Sequence, residues 1–325
     1  MLNPKMKRKE CYLAGILAAA AAISLLSGCG GGTPSLEEAL KKTASYEQTS
    51  IPSPASDSLG GEWTVIALAR SGEEAIDGYY EKYRANLEKR VKEQEGVLSE
   101  NRYTEYARAV LACKAIGIDP SDIGGYDLGK PLEDFETVTA QGFNGAVYAL
   151  LALNADRSDI DGELEQKYLT YIVQQEKPSG GFSLDDSSDT ADVDLTAMTL
   201  QCLEPYATEE EISAIIDRGV EFLADAQAED GGYEAYGDKS SESVSQVILA
   251  LSTYGIDCNK DARFQKKEKG LYDNLMEYYK KDGSFSHILD GDSDPMATDQ
   301  AFCAMAAYSR FLNGKTSFYD MSDTN

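Results

Sequence analysis

The stretch QAEDGGYEAYGD, Gln227 to Asp238, decides how this chain folds, because it places a Gln, an acidic Gly-Gly turn and an aromatic where an amphipathic helix should end. The same spelling occurs in QQEKPSGGFSLDD, Gln174 to Asp186, with Gly180-Gly181-Phe182 lying 51 positions before Gly231-Gly232-Tyr233. A third copy reads Asp282-Gly283-Ser284-Phe285, with Gly283 spaced 51 from Gly232. Each copy follows a periodic segment (YLTYIVQQ, GVEFLADAQ, LMEYYKK) and precedes an apolar one (LTAMTLQCLEPY, SVSQVILALSTYG, ATDQAFCAMAAYSRF). The unit is helix, Gly-aromatic turn, acidic loop, helix. Glycine after a helix accepts left-handed backbone angles that a Cβ penalises, and the aromatic can then fold back onto the neighbouring hairpin.

Upstream, EWTVIALARSG, TEYARAVLACKAIG and GFNGAVYALLALNA carry the pattern of the second helix, with partners over Leu36–Tyr46, Ala75–Lys92 and Pro131–Val138. The count is about six helical hairpins, about twelve helices and no convincing strand run. The expected fold is all-α. Six hairpins can close into an α/α toroid with first helices outside and less charged second helices inside; an open solenoid is the alternative.

The N-terminus reads as targeting sequence. Lys5, Lys7, Arg8 and Lys9 precede an apolar run, Tyr12 to Leu26, too short to span a bilayer comfortably. It ends Leu26-Ser27-Gly28-Cys29, which resembles the lipobox of bacterial lipoproteins. That resemblance implies cleavage after residue 28 and a lipid on Cys29, tethering the protein to the cell membrane on its extracytoplasmic side. Residues 29–60, rich in Gly, Ser, Thr and Pro around one short helical stretch, are expected to be a flexible tether, with the toroid over 61–323. Loss of 1–28 removes four Lys/Arg and one Glu, leaving 26 basic and 55 acidic residues and a formal charge of −29. Such a surface repels phosphates, so nucleic acid is excluded as a default partner.

Gln227 to Tyr233, read as Gln-x-x-Asp-Gly-Gly-Tyr, resembles the QW-type repeats of the squalene cyclase and protein prenyltransferase superfamily, whose fold is an α/α toroid. Ser240 to Asp257 and Asp294 to Asp323 look like bacterial surface proteins with prenyltransferase-type repeats. Asp192-Val193-Asp194-Leu195-Thr196-Ala197 resembles the acid motif of squalene-hopene cyclases, which implies Asp194 as the residue that protonates an alkene. Leu195 replaces that motif's third acid, Trp63 is the sole indole, and the repeats make one toroid where those enzymes have two. Asp194 can alternatively cap the following helix. The zinc set of prenyltransferase β subunits has no match around Asp257, Cys258 and His287, and the thioester signature of complement-type relatives is absent.

Cys113, Cys202, Cys258 and Cys303 sit in no metal-ligand spacing, three of them in apolar runs where a free thiol packs as a small hydrophobe. Asp290, Asp292 and Asp294 alternate as in a calcium loop, but Pro295 stands at the turn Gly and no Glu closes it. Asp185, Asp186, Asp189 and Asp192 form a similar weak candidate, and no cofactor is expected. The leading expectation is a lipid-anchored protein whose toroid binds an unknown small molecule, glycan or protein without catalysis, a corrinoid being one candidate by resemblance to cobalamin carriers. The alternative is an enzyme acting on an isoprenoid or glycan with Asp194 as its acid. It predicts an aromatic axial cavity with Asp194 facing in; the leading reading predicts a shallow centre with Asp194 on the rim. A purely structural spacer, its 20 tyrosines serving packing, is the third reading.

Overall fold

Six helices are buried along most of their length, and they form the inner ring: α2 (Glu62–Ser71), α4 (Thr104–Ala115), α6 (Phe143–Asn154), α8 (Val193–Leu203), α10 (Ser241–Thr253) and α12 (Pro295–Leu312). They need apolar residues on nearly every face because each is covered by ring neighbours and by an outer helix. The outer helices are α1 (Leu36–Ser50), α3 (Tyr79–Glu93), α5 (Phe135–Ala140), α7 (Gly162–Val173), α9 (Glu210–Ala226) and α11 (Leu271–Leu275). These bury one stripe only: α9 hides Ile212, Ile215, Ile216, Gly219, Val220 and Leu223, the spacing of a single helical face.

This computed structural model describes residues 33–56, 59–157, 160–185, 189–235 and 237–324. All these elements lie in the unit Pro34–Asn325. Each inner helix packs on the next, and α12 packs on α2, so the ring closes and the open solenoid is set aside. Thr64 Oγ1 donates to Asp299 Oδ1 at 2.6 Å across that seam. The sole ladder among the described residues is a two-residue antiparallel ribbon, Glu234–Ala235 with Asp238–Lys239.

The Gly-aromatic turns superpose in their hydrogen bonds. The N–H groups of Lys177, Ala228 and Lys280 donate to the carbonyls of Gly181, Gly232 and Ser284 at 2.7, 2.9 and 2.8 Å. Gly180, Gly231 and Gly283 then take φ of +86°, +93° and +103°, and Phe182, Tyr233 and Phe285 behind them are fully buried. Gly283 therefore corresponds to Gly231, 52 positions earlier, and not to Gly232. At Gly283 a Cβ would also come within 2.6 Å of the Lys42 carbonyl oxygen, so the position excludes every other residue twice over.

One boundary is corrected. The tether expected over 29–60 does not extend that far, because α1 carries a Ser35–Glu38 capping box and buries Ala39, Leu40 and Ala44 in the core. Thr43 Oγ1 donates to the Gly283 carbonyl at 2.7 Å. α1 thus covers α12 and α2 at their seam. The signal segment and Cys29 lie outside the described residues.

Candidate active site

Asp192, not Asp194, caps α8: its side chain accepts from Leu195 N–H at 2.7 Å. That corrects the capping alternative and frees Asp194, the second residue of the helix, for another role. Its carboxyl lines an axial cavity of about 200 Å³ enclosed by α2, α6, α8, α10, α12 and the C-terminal segment. Three aromatic rings, Trp63, Tyr148 and Tyr319, share the wall with Met198, Leu249 and Cys303. Trp63 and Tyr148 lie with ring centroids 6.0 Å apart at 53°. An amide chain crosses the polar side, Gln201 Nε2 donating to Gln246 Oε1 at 3.1 Å and Gln246 Nε2 to Gln300 Oε1 at 3.2 Å.

The electrostatics of Asp194 follow from its placement. A carboxylate in the first turn of a helix is stabilised by the backbone dipole. Here burial wins: desolvation raises the carboxyl to about 6, against a hydrogen bond with Ser243, and nearby Asp192 and Glu242 push the same way. Its Oδ1 is sealed from solvent with no hydrogen-bond partner. A wider cavity of about 770 Å³, between α8, α9 and the loop after Phe182, is also lined by Asp194. The acid thus lines both an acidic cavity and an aromatic one. Glu242, which holds the corresponding second position of α10, is paired with His287 Nδ1 at 2.8 Å.

A second acid group went unseen in the sequence. Glu47 of α1 and Asp299 of α12 are both buried, with Thr64 between their helices, and Asp299 Oδ2 has no partner. Desolvation raises both carboxyls, and for Glu47 the charge of Asp299 adds to it. A lone acid inside the apolar run ATDQAFCAMAAY was the available signal, since an unpaired carboxylate is not otherwise tolerated there. Raised acids bind protons in the folded state that the unfolded chain has already released. Stability is therefore full below the ordinary carboxylate pKa of about 4 and falls as pH rises through neutral. Between pH 5 and 8 the loss should be on the order of 2 kcal/mol, read by urea unfolding, and Glu47→Gln should flatten the slope. An unchanged slope in that variant would rule the pair out as its source.

The other candidates sit apart. Asp294 caps α12 by accepting from Ala297 N–H at 2.9 Å, while Asp290 and Asp292 are exposed. The structure does not bring these three together, and no group of three His, Cys, Asp or Glu among the described residues is placed to hold a metal ion. Asp186 of the other acidic cluster lies outside the described residues. The four described cysteines are free and buried.

Residues 128–324 match the family described as the Prenyltransferase alpha-alpha toroid domain. No curated protein matches the sequence. Among solved structures, the type II terpene cyclase MstE from Scytonema superposes with a TM-score of 0.58 at 12% identity, over 85% of this chain and 99% of that one. A glycosidase variant gives 0.54 at 12%, covering 86% and 99%, and the ent-copalyl diphosphate synthase of Streptomyces platensis gives 0.50 at 14%, covering 81% and 50%. At these identities the likeness concerns the fold. The leaning against catalysis is nonetheless corrected, because solved structures that share this fold include enzymes, cyclases and a glycosidase alike.

Proposed function

The chain belongs to the prenyltransferase alpha-alpha toroid domain family, and from that premise we propose that it is an enzyme that protonates an isoprenoid-type alkene with Asp194. One observation carries this reading: a carboxyl raised to about 6 faces a cavity walled by three aromatic rings. An alkene lodged there takes the Asp194 proton with its π electrons, forming a C–H bond and a carbocation. The faces of Trp63, Tyr148 and Tyr319 stabilise that positive charge. Loss of a proton from a neighbouring carbon to a water molecule at the cavity mouth then gives a cyclised or isomerised product, and Asp194 regains a proton from solvent, so no net proton is consumed.

At about 200 Å³ the chamber is smaller than the roughly 300–1,000 Å³ that holds drug-sized ligands, which favours a short prenyl chain. The test is incubation of the full chain with geranyl, farnesyl and geranylgeranyl compounds, with unsaturated oligosaccharides in parallel, and mass spectrometry of the products. Cyclised or isomerised prenyl products are expected; consumption of oligosaccharide alone would sink the isoprenoid reading.

Anchoring is part of the same proposal. Leu26 to Cys29 supports a lipid on the Cys29 thiol and an extracytoplasmic location. No helix among the described residues is long and apolar enough to cross a membrane. Cys29→Ser should move the chain from the membrane pellet to the soluble fraction, and retention in the pellet would refute the anchor.

A further inference from the structure

A groove of about 500 Å³ opens between α3, α4 and residues 55–56, lined by Lys89, Arg90 and Glu93 on one side and Arg102, Glu105 and Arg108 on the other. Four cations against two carboxylates leave a surplus of two positive charges, on a chain whose formal net charge is −26. A local field of the opposite sign to the whole molecule is what an anion site needs.

The cations differ in how far they are committed. Arg90 donates to Leu98 O at 3.0 Å, to Glu105 Oε2 at 2.8 Å and to Ser56 O. Arg102 reaches Glu105 Oε1 at 2.5 Å, and the exposed Lys89 lies 3.9 Å from Glu93. Arg108 is different: its side chain is 13% exposed, yet its Nε–H is sealed from solvent without a hydrogen-bond partner. The carboxylate it faces, Glu62 Oε2, stands 3.8 Å away, at ion-pair distance but beyond hydrogen-bond reach, and is itself buried without a hydrogen bond. A guanidinium carries a fixed fork of donors suited to tetrahedral oxyanions, and a buried donor left without a hydrogen bond is destabilising.

We propose that this groove binds a dianionic phosphoryl group, with Arg108 as the buried donor and Lys89 and Arg102 at the mouth. A net positive groove suits a dianion, and its several acceptor oxygens can be shared between Arg108 and the mouth cations as a single carboxylate cannot. Glu62 does not oppose it fully, because burial raises that carboxyl to about 7, against the pull of Arg108, so that near neutral pH a large fraction is protonated and can donate. This inference is independent of the reaction assigned to Asp194.

The experiment is calorimetric titration of the full chain with inorganic phosphate and diphosphate, beside sedimentation with vesicles containing phosphatidate. Arg108→Gln is expected to weaken binding at least tenfold. The exposed pair Lys89→Gln/Arg102→Gln is expected to weaken it several-fold with an unchanged melting temperature, which guards against misfolding as the cause. Binding of soluble phosphate that depends on Arg108 identifies a free phosphoryl compound as the ligand; Arg108-dependent binding to phosphatidate vesicles alone identifies a lipid headgroup. Absence of both, or an Arg108→Gln chain that binds as the wild type does, overturns the proposal.

Discussion

Asp194→Asn should lower turnover of a prenyl substrate by a factor of roughly 10² to 10⁴ while leaving the fold intact, because it removes the proton donor and nothing that holds the ring together. The second half of this expectation rests on packing. Asn has the shape of Asp, and the carboxylate it replaces has an oxygen without a hydrogen bond, so the cost in stability should stay within about 1 kcal/mol. The pH profile separates an acid from a merely placed side chain. Asp194 is raised to about 6, so its acid form dominates below that value, and kcat should fall about tenfold per unit as pH climbs past it. The residual rate of the variant should lack that limb. Wild-type turnover in Asp194→Asn, or a limb that persists, would remove Asp194 from the chemistry.

Arg70→Leu is expected to cost about 3–5 kcal/mol, the usual penalty for breaking one side of a buried ionic network. Arg70 is 2% exposed at the end of α2 and gathers the C-terminal segment through its whole guanidinium. Nε donates to Phe318 O at 3.0 Å and Nη1 to Asp323 Oδ1 at 2.6 Å, while Nη2 reaches Thr316 Oγ1 and the Ser317 and Asp320 carbonyls at 3.0, 3.0 and 2.6 Å. Arg310 holds the other oxygen of Asp323 at 2.5 Å. Burial pushes the Asp323 carboxyl up, but the hydrogen bonds from Arg70 and Arg310 prevail and hold it down at about 2. That segment carries Tyr319 into the axial cavity, so loosening it should also open the chamber. The measurements are the melting temperature, which should drop by roughly 10 °C, and the proteolytic release of the C-terminal residues in the folded state. An unchanged midpoint would mean that the segment is held by its apolar contacts alone.

The folding pattern was legible because its causes are local. Helical periodicity depends on neighbours three and four positions away, and the left-handed turn depends on one missing Cβ, so the hairpins and the recurring Gly-aromatic turn could be read from the letters, while the register of Gly283 on Gly231 rather than Gly232 needed the hydrogen bonds. The position of Asp194 two residues after an acidic cap was equally visible, though not which of the two acids did the capping. What tertiary structure alone decided is everything that depends on burial: that α1 belongs to the ring, that Trp63, Tyr148 and Tyr319 converge on Asp194, and that Glu47 meets Asp299. The same holds for Arg108, whose unsatisfied donor exists only because α2 and α4 bring it near Glu62 at the wrong distance. Residues 235 or more positions apart, such as Thr64 and Asp299, are neighbours only because six hairpins return the chain to its start. Desolvation, which sets the protonation of Asp194, is a property of that closed ring and of no segment within it.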